Sequence, residues 1–265
     1  CALPPVDATA ASAETSTAPA VQTKLLAAIL LGEDESLPIY TEASTESSVI
    51  ESFPGRAVKI RPTGETAVTG EENWVEIHTS TTEAGWVQAR YVTEYVPEEI
   101  FCADSRIPRL LDDLQVAIQN QDADLFASLV SPTHGLDLRY YRHGRVANYN
   151  QEEAAWAFKS DYEVVWGNEP GSGLETKGTF SEIPLPKLTE VFTAPHERYC
   201  NDAQNLQAFS QEPWLPEYAN INFYQVFKEG TEQYGGLDWR AWLVGVEYVN
   251  DEPYLFALIH FEWTP

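Results

Sequence analysis

The 265-residue sequence contains no methionine, three cysteines and only 16 lysines and arginines against 41 aspartates and glutamates. Its longest apolar run, Leu25 to Leu31, is far short of the roughly 20 residues that a membrane-spanning helix needs. Each shortage excludes something. No spanning segment is expected. The deficit of bases leaves a net charge of -25, with -8 over residues 33–96 and -16 over residues 97–265. Such a surface repels nucleic acid and anionic headgroups, so nucleic acid is excluded as a partner and a basic patch cannot provide membrane contact. Missing motifs exclude more. G-x-S-x-G, S-x-x-K, H-E-x-x-H, C-x-x-C, a phosphate loop, a dinucleotide fingerprint and internal repeats are all lacking, and Pro170-Gly171-Ser172-Gly173 fits only a turn. No catalytic residue, metal site or cofactor is therefore assigned.

What is present begins with Cys1. The tract from Ala2 to Thr23 is mostly Ala, Ser, Thr, Pro and Val, with only Asp7 and Glu14 charged. It has too little apolar area to offset the entropy of ordering and reads as a flexible spacer over 1–23. A cysteine heading such a tract resembles mature bacterial lipoproteins, whose signal peptide is cut immediately before a cysteine that then carries the lipid. The resemblance implies lipid attachment at Cys1, a membrane partner reached through acyl chains, and an extracytoplasmic body tied to a bacterial membrane. A chain boundary that happens to fall on cysteine is the alternative. In that oxidising setting Cys102 and Cys200 are expected to form a disulfide, with two free thiols as the alternative. Residues 24–34 read as a short helix or linker.

Strand-like runs follow at Leu37–Tyr40, Val49–Phe53, Ala57–Arg61, Asn73–His78 and Ala84–Val87, separated by turn residues such as Pro54-Gly55 and Thr63-Gly64. With Ser47-Ser48-Val49-Ile50, Trp74-Val75, Gly85-Trp86-Val87 and Tyr91-Val92 as markers, residues 35–96 resemble the bacterial SH3-like domain, a small all-β barrel. Members of that family associate with cell-wall peptides or accompany a catalytic domain. Two departures weaken an inherited function: Glu42-Ala43 replaces the usual glycine-proline pair, and an acidic insert, Gly64 to Glu72, alters one rim. Alternation makes Trp74 and Trp86 core residues first. Tyr40, Trp74 and Tyr91 are the candidates for a ligand groove, beside Glu42, Glu71 and Glu72, which favour a basic partner.

Residues 97–265 read as an α+β domain. Ser105–Gln119 places Ile107, Leu110, Leu111, Leu114, Ala117 and Ile118 on one helical stripe with Ser105 as N-cap, and a second helix starts at Asp122 and stops before Pro132. Shorter helices are expected after Asn150 and over Pro184–Phe192. At the end, Asn250-Asp251-Glu252-Pro253 reads as a four-residue hairpin turn that places Tyr248 opposite Leu255 and Trp242 opposite Phe261 on an apolar face. The opposite face would carry Leu243, Leu258 and Glu247 together with a candidate pocket of Trp239, Phe256, His260 and Glu262. Helices on a curved antiparallel sheet suggest a cone like the cystatin-like and nuclear-transport-factor-like folds. The segments around His134-Gly135, Trp166-Gly167 and the closing Gly236 to Pro265 resemble a family of uncharacterised exported bacterial proteins, which implies no activity. Arg139, Arg142 and Arg145 form the one basic cluster, a candidate patch for an anion or an acidic partner, or else pairs for nearby carboxylates.

The sequence thus points to a membrane-anchored envelope lipoprotein that binds or scaffolds a cell-wall peptide or a protein and is not an enzyme. A subunit of a larger membrane assembly, or an envelope hydrolase with a site near His260 and Glu262, are the alternatives.

Overall fold

The computed structural model describes residues 24–206 and 212–263, so Cys1 and the tract to Thr23 lie outside the described residues. The chain is mostly β structure in several small, chiefly antiparallel sheets with few helices. Eight short strands build an N-terminal β body: β1 (Leu26–Ala28), β2 (Ser36–Tyr40), β3 (Val49–Pro54), β4 (Val58–Ile60), β5 (Pro62–Thr69), β6 (Glu72–His78), β7 (Ala84–Gln88) and β8 (Val92–Glu94). One sheet runs β4-β1-β8 and the other β3-β2-β7-β6-β5. Leu37, Ile39, Ile77 and Val87 from the larger sheet meet Ala28, Ile60 and Val92 from the smaller in one buried cluster. Period-two placement of apolar side chains thus closes two sheets on one core.

One expectation is corrected here. The run Leu25–Leu31 is not helical but supplies β1, because a short apolar run has no periodicity that separates a helix from a buried strand. What decides is that β1 fills the space between β4 and β8, pairing with both, and carries Ile29 and Leu30 forward into the core of the second body. The acidic insert Gly64–Glu72 lies along the edge strand of the larger sheet. It forms most of β5 and turns through Gly70, at φ 64, into β6, with Thr69 opposite Glu72.

The second body comprises α1 (Glu98–Ala103), α2 (Arg106–Asn120), α3 (Ala123–Leu129), β9 (Leu136–Arg139), β10 (Ala147–Tyr149), α4 (Gln151–Ala157), β11 (Val164–Asn168), β12 (Glu175–Gly178), α5 (Pro184–Phe192), β13 (Glu197–Cys200), β14 (Asn222–Lys228), β15 (Arg240–Val249) and β16 (Glu252–Glu262). Six strands form one sheet in the order β10-β9-β16-β15-β14-β13, antiparallel except where β16 meets β9, while β11 and β12 pair separately. The α2 stripe is buried as its spacing predicts. Asp122 accepts the Leu125 amide, and Asn150 and Glu153 close a capping box at α4. Ser105 makes no capping bond; the Asp104 carboxylate takes the Arg106 amide instead, at 2.9 Å.

The closing hairpin also differs from its expected register. It turns on Asn250 and Asp251 alone, both left-handed at φ 52 and 74, so Val249 faces Glu252. One extra residue on β16 then bulges, so that Val246 pairs with Leu255 but Gly245 with Ala257. A one-residue slip moves side chains to the other face. Trp242 consequently stands opposite His260, and His260 and Leu258 share the helix-facing side with Val244, whereas Phe256, Ala257, Ile259 and Phe261 face away from it.

Cys102 on α1 and Cys200 at the end of β13 form a disulfide, Cα to Cα 5.8 Å, across 98 residues of sequence. Closing so long a loop restricts the unfolded chain, and removing a native disulfide typically costs about 2–5 kcal/mol. Replacing both with serine, Cys102→Ser with Cys200→Ser, is expected to lower the unfolding free energy by that amount, read from urea curves of the oxidised and double-serine proteins.

Candidate functional site

A fully enclosed carboxylate lies where the two bodies meet. Glu247 on β15 has no exposed side-chain surface. Its Oε1 accepts the Ser131 hydroxyl, and its Oε2 accepts the Thr93 hydroxyl from β8 at 2.9 Å and lies 2.7 Å from His134 Nδ1. The turn Ser131–Gly135 builds this arrangement: Ser131 Oγ accepts the Thr133 and His134 amides at 3.1 Å each. Gly135, at φ 74, lets the turn close where a Cβ would stand 2.7 Å from the Tyr149 carbonyl oxygen. The second imidazole nitrogen, Nε2, reaches 3.4 Å from the Ala89 carbonyl oxygen of the β body. Burial works against the His134 imidazolium, but the hydrogen bond and charge of Glu247 outweigh it, and its pKa rises above the ordinary histidine value. The Ser131 hydroxyl donates to the carboxylate and not to the imidazole, so these residues form no relay that would activate a nucleophile. Their chemistry is that of a polar latch.

The candidate residues read from the sequence are distributed otherwise than as sites. Trp74 is 2% exposed, its ring edge-on to Tyr40 at 5.6 Å, while Tyr40 and Tyr91 are half-buried and Tyr91 packs on the β-body core. The four residues proposed as a second pocket do not converge, because the β16 bulge separates them. Phe256 lies in the cluster away from the helices, against which Trp239 packs. His260 is enclosed between Tyr140 and Trp242, and burial pushes its pKa down to about 3. Glu262 is paired with Lys187 at 2.7 Å and Arg240 at 3.0 Å. Two of the three arginines reach one loop. Arg139 pairs with Glu217 at 2.7 Å and Arg142 donates to the Pro213 carbonyl at 3.2 Å, both holding the loop before β14, while Arg145 is exposed. Among the described residues no group of three His, Cys, Asp or Glu side chains is placed to hold a metal ion.

An open groove of about 480 Å³ was not anticipated from the sequence. It lies between β10 and β11, and its mouth carries Trp156, 51% exposed, and Tyr162, 64% exposed, with ring centroids 6.0 Å apart. Arg145, Asn148, Glu153 and Glu163 supply polar groups around them. Helical periodicity held the signal: α4 buries Ala154 and Ala157, which turns Trp156 outward. Tyr162, in the irregular segment after α4, has no sequence signal. Among the described residues β10 pairs only with β9 and β11 only with β12, so each strand has one edge without a strand partner there.

Comparison with protein-family models, curated proteins and solved structures finds no match for this chain.

Two titrations of opposite sign follow. The His134 contribution is fully present below its unfolded pKa and is lost as pH rises through the higher folded value; Glu247→Gln should remove this dependence and destabilise the protein by about 3 kcal/mol. His260 binds its proton more weakly when folded, so stability falls as pH drops from about 6.5 toward about 3, by at most about 1.4 kcal/mol per unit. His260→Gln should flatten that limb in urea titrations at pH 7 and pH 4.

Proposed function

We propose that the chain is an extracytoplasmic binding protein, tied to a bacterial membrane through Cys1, that holds an extended peptide in the groove between β10 and β11. The observation that carries this reading is the groove itself. It joins two exposed aromatic rings, a ring of polar side chains and two strands with unused edges. An extended peptide can add to such edges through its backbone, while aromatic pockets read its side chains. The volume falls within the range of ligand sites in general. The peptide belongs to the cell wall or to a protein partner, and the chain acts by binding or scaffolding, without catalysis. The enclosure of His260 and the pairing of Glu262 give no support to a hydrolase at those residues.

The disulfide is compatible with an extracytoplasmic location. No helix among the described residues is long and apolar enough to cross a membrane, which is compatible with attachment by lipid. In this reading the β body is an SH3-like barrel and the second body a cystatin-like or nuclear-transport-factor-like cone. The eight-residue buried core beneath two small sheets supports the first, and helices covering one face of a six-stranded sheet support the second.

The protein isolated from its native membrane in mild detergent should retain a wall peptide or a protein partner, identified by mass spectrometry. Trp156→Ala and Tyr162→Ala should each weaken retention of that ligand at least tenfold, about 1.4 kcal/mol, without lowering the melting temperature, because both rings are exposed. Undiminished binding by both variants would refute the groove as the site.

A further inference from the structure

A second groove, of about 440 Å³, opens on the β body between β4 and the turn joining β6 to β7. Its rim carries Lys59, Arg61, His78, Ser80 and Thr82, over an apolar floor that includes Phe53. We infer that this groove binds a phosphate group, a reading independent of the peptide groove.

Charge carries the inference. The chain has 41 acidic residues, yet none of the eleven residues lining this groove is acidic. Seven other cations, Lys24, Arg106, Arg139, Lys177, Lys187, Arg198 and Arg240, each stand beside a carboxylate. Lys59 and Arg61, like Arg90, Arg109, Arg145 and Lys159, have no such partner among the described residues, and these two line one groove together without an acidic neighbour in its lining. The Lys59 ammonium instead lies 6.0 Å from the centre of the Tyr95 ring. Glu51, the nearest carboxylate to the turn by hydrogen bonding, is held on the Ser80 amide at 2.9 Å and does not line the groove.

Donor chemistry narrows the ligand. A guanidinium fork matches two oxygens of a phosphate, an ammonium supplies a compact charge, and the free hydroxyls of Ser80 and Thr82 add donors. Together they offer more donors than a carboxylate has oxygens to accept them. The backbone points the same way. Lys59, at φ 59, and Thr82, at φ 69, are held in the left-handed region, which a β-branched residue such as threonine rarely enters, and both line this groove. The mean field of the acidic chain opposes an anion, but it is screened beyond about 8 Å at physiological salt, so the two adjacent cations dominate locally.

The test uses the full chain with Cys1→Ser, so that acylation plays no part. Titration with inorganic phosphate, followed by calorimetry and amide chemical shifts, should show saturable binding that moves the Lys59, Arg61 and Ser80 signals. Lys59→Gly with Arg61→Gln should weaken it at least tenfold; glycine keeps the backbone angle, and a melting curve checks the fold. Arg109→Gln, a change at an exposed arginine elsewhere, should leave it unchanged. Absence of saturable binding, equal loss in the Arg109→Gln protein, or equal affinity for acetate would overturn the inference. A second arm identifies the source of the phosphate. If vesicles of phosphatidylglycerol, but not phosphatidylcholine, carry the protein upward on flotation and the double variant does not float, the phosphate belongs to a lipid headgroup. If phosphate binds and neither vesicle does, it belongs to a soluble ester.

Discussion

A carboxylate removed from water must be given partners, and those of Glu247 come from separate parts of the chain. Thr93 reaches it from the last strand of the β body, and Ser131 and His134 from the turn before β9. Leaving any of these out would strand a buried charge, an outcome far costlier than the modest net gain of a hydrogen bond made in the open. The position of the two bodies is therefore fixed by satisfaction of one side chain as much as by apolar contact. Around it the backbone is stitched as well: Leu30 donates to the Glu217 carbonyl, Asn220 to the Ala28 carbonyl and Asn222 to the Val96 carbonyl, at 2.8, 2.8 and 2.7 Å. Ile29, carried by β1, enters the apolar cluster beneath β15 and β16.

This joint gives the two grooves a common frame. The aromatic groove sits on the second body near α4, the basic groove on the β body near β4, and neither depends on a hinge between them. Were both proposed sites occupied, this joint would set the orientation of one ligand relative to the other. That suits a protein whose task is to place things relative to each other.

Much of the fold was legible wherever a face is buried on one side only. The α2 stripe, the Asp122 and Asn150 caps and the alternating strands of the β body all follow from local patterning. What failed was what local pattern cannot contain. Leu25–Leu31 is apolar on every side, so its state depended on two strands, β4 and β8, that lie far along the chain. The closing hairpin was recognised, but a left-handed Asn250-Asp251 pair and a bulge at Phe256 shifted its faces, and with them His260. Of the candidate site residues, Trp74 is enclosed in the core, Arg139 takes the alternative of pairing with a carboxylate, and Arg142 joins it on the same loop. Trp156 was readable in principle, as the one aromatic residue off the buried face of a short helix; Tyr162 and the convergence of Lys59 with His78 are tertiary facts.

The disulfide has one more effect, unrelated to unfolding. β13 ends the six-stranded sheet, and a terminal strand displays unpaired amides and carbonyls that invite another chain to add on. Cys200 sits at the end of that strand and Cys102 anchors α1 over it, where Phe101 meets the ring of Tyr224 at 5.7 Å. The bond thus ties α1 to the end of a border strand, so that reduction would release that corner of the sheet from the helix.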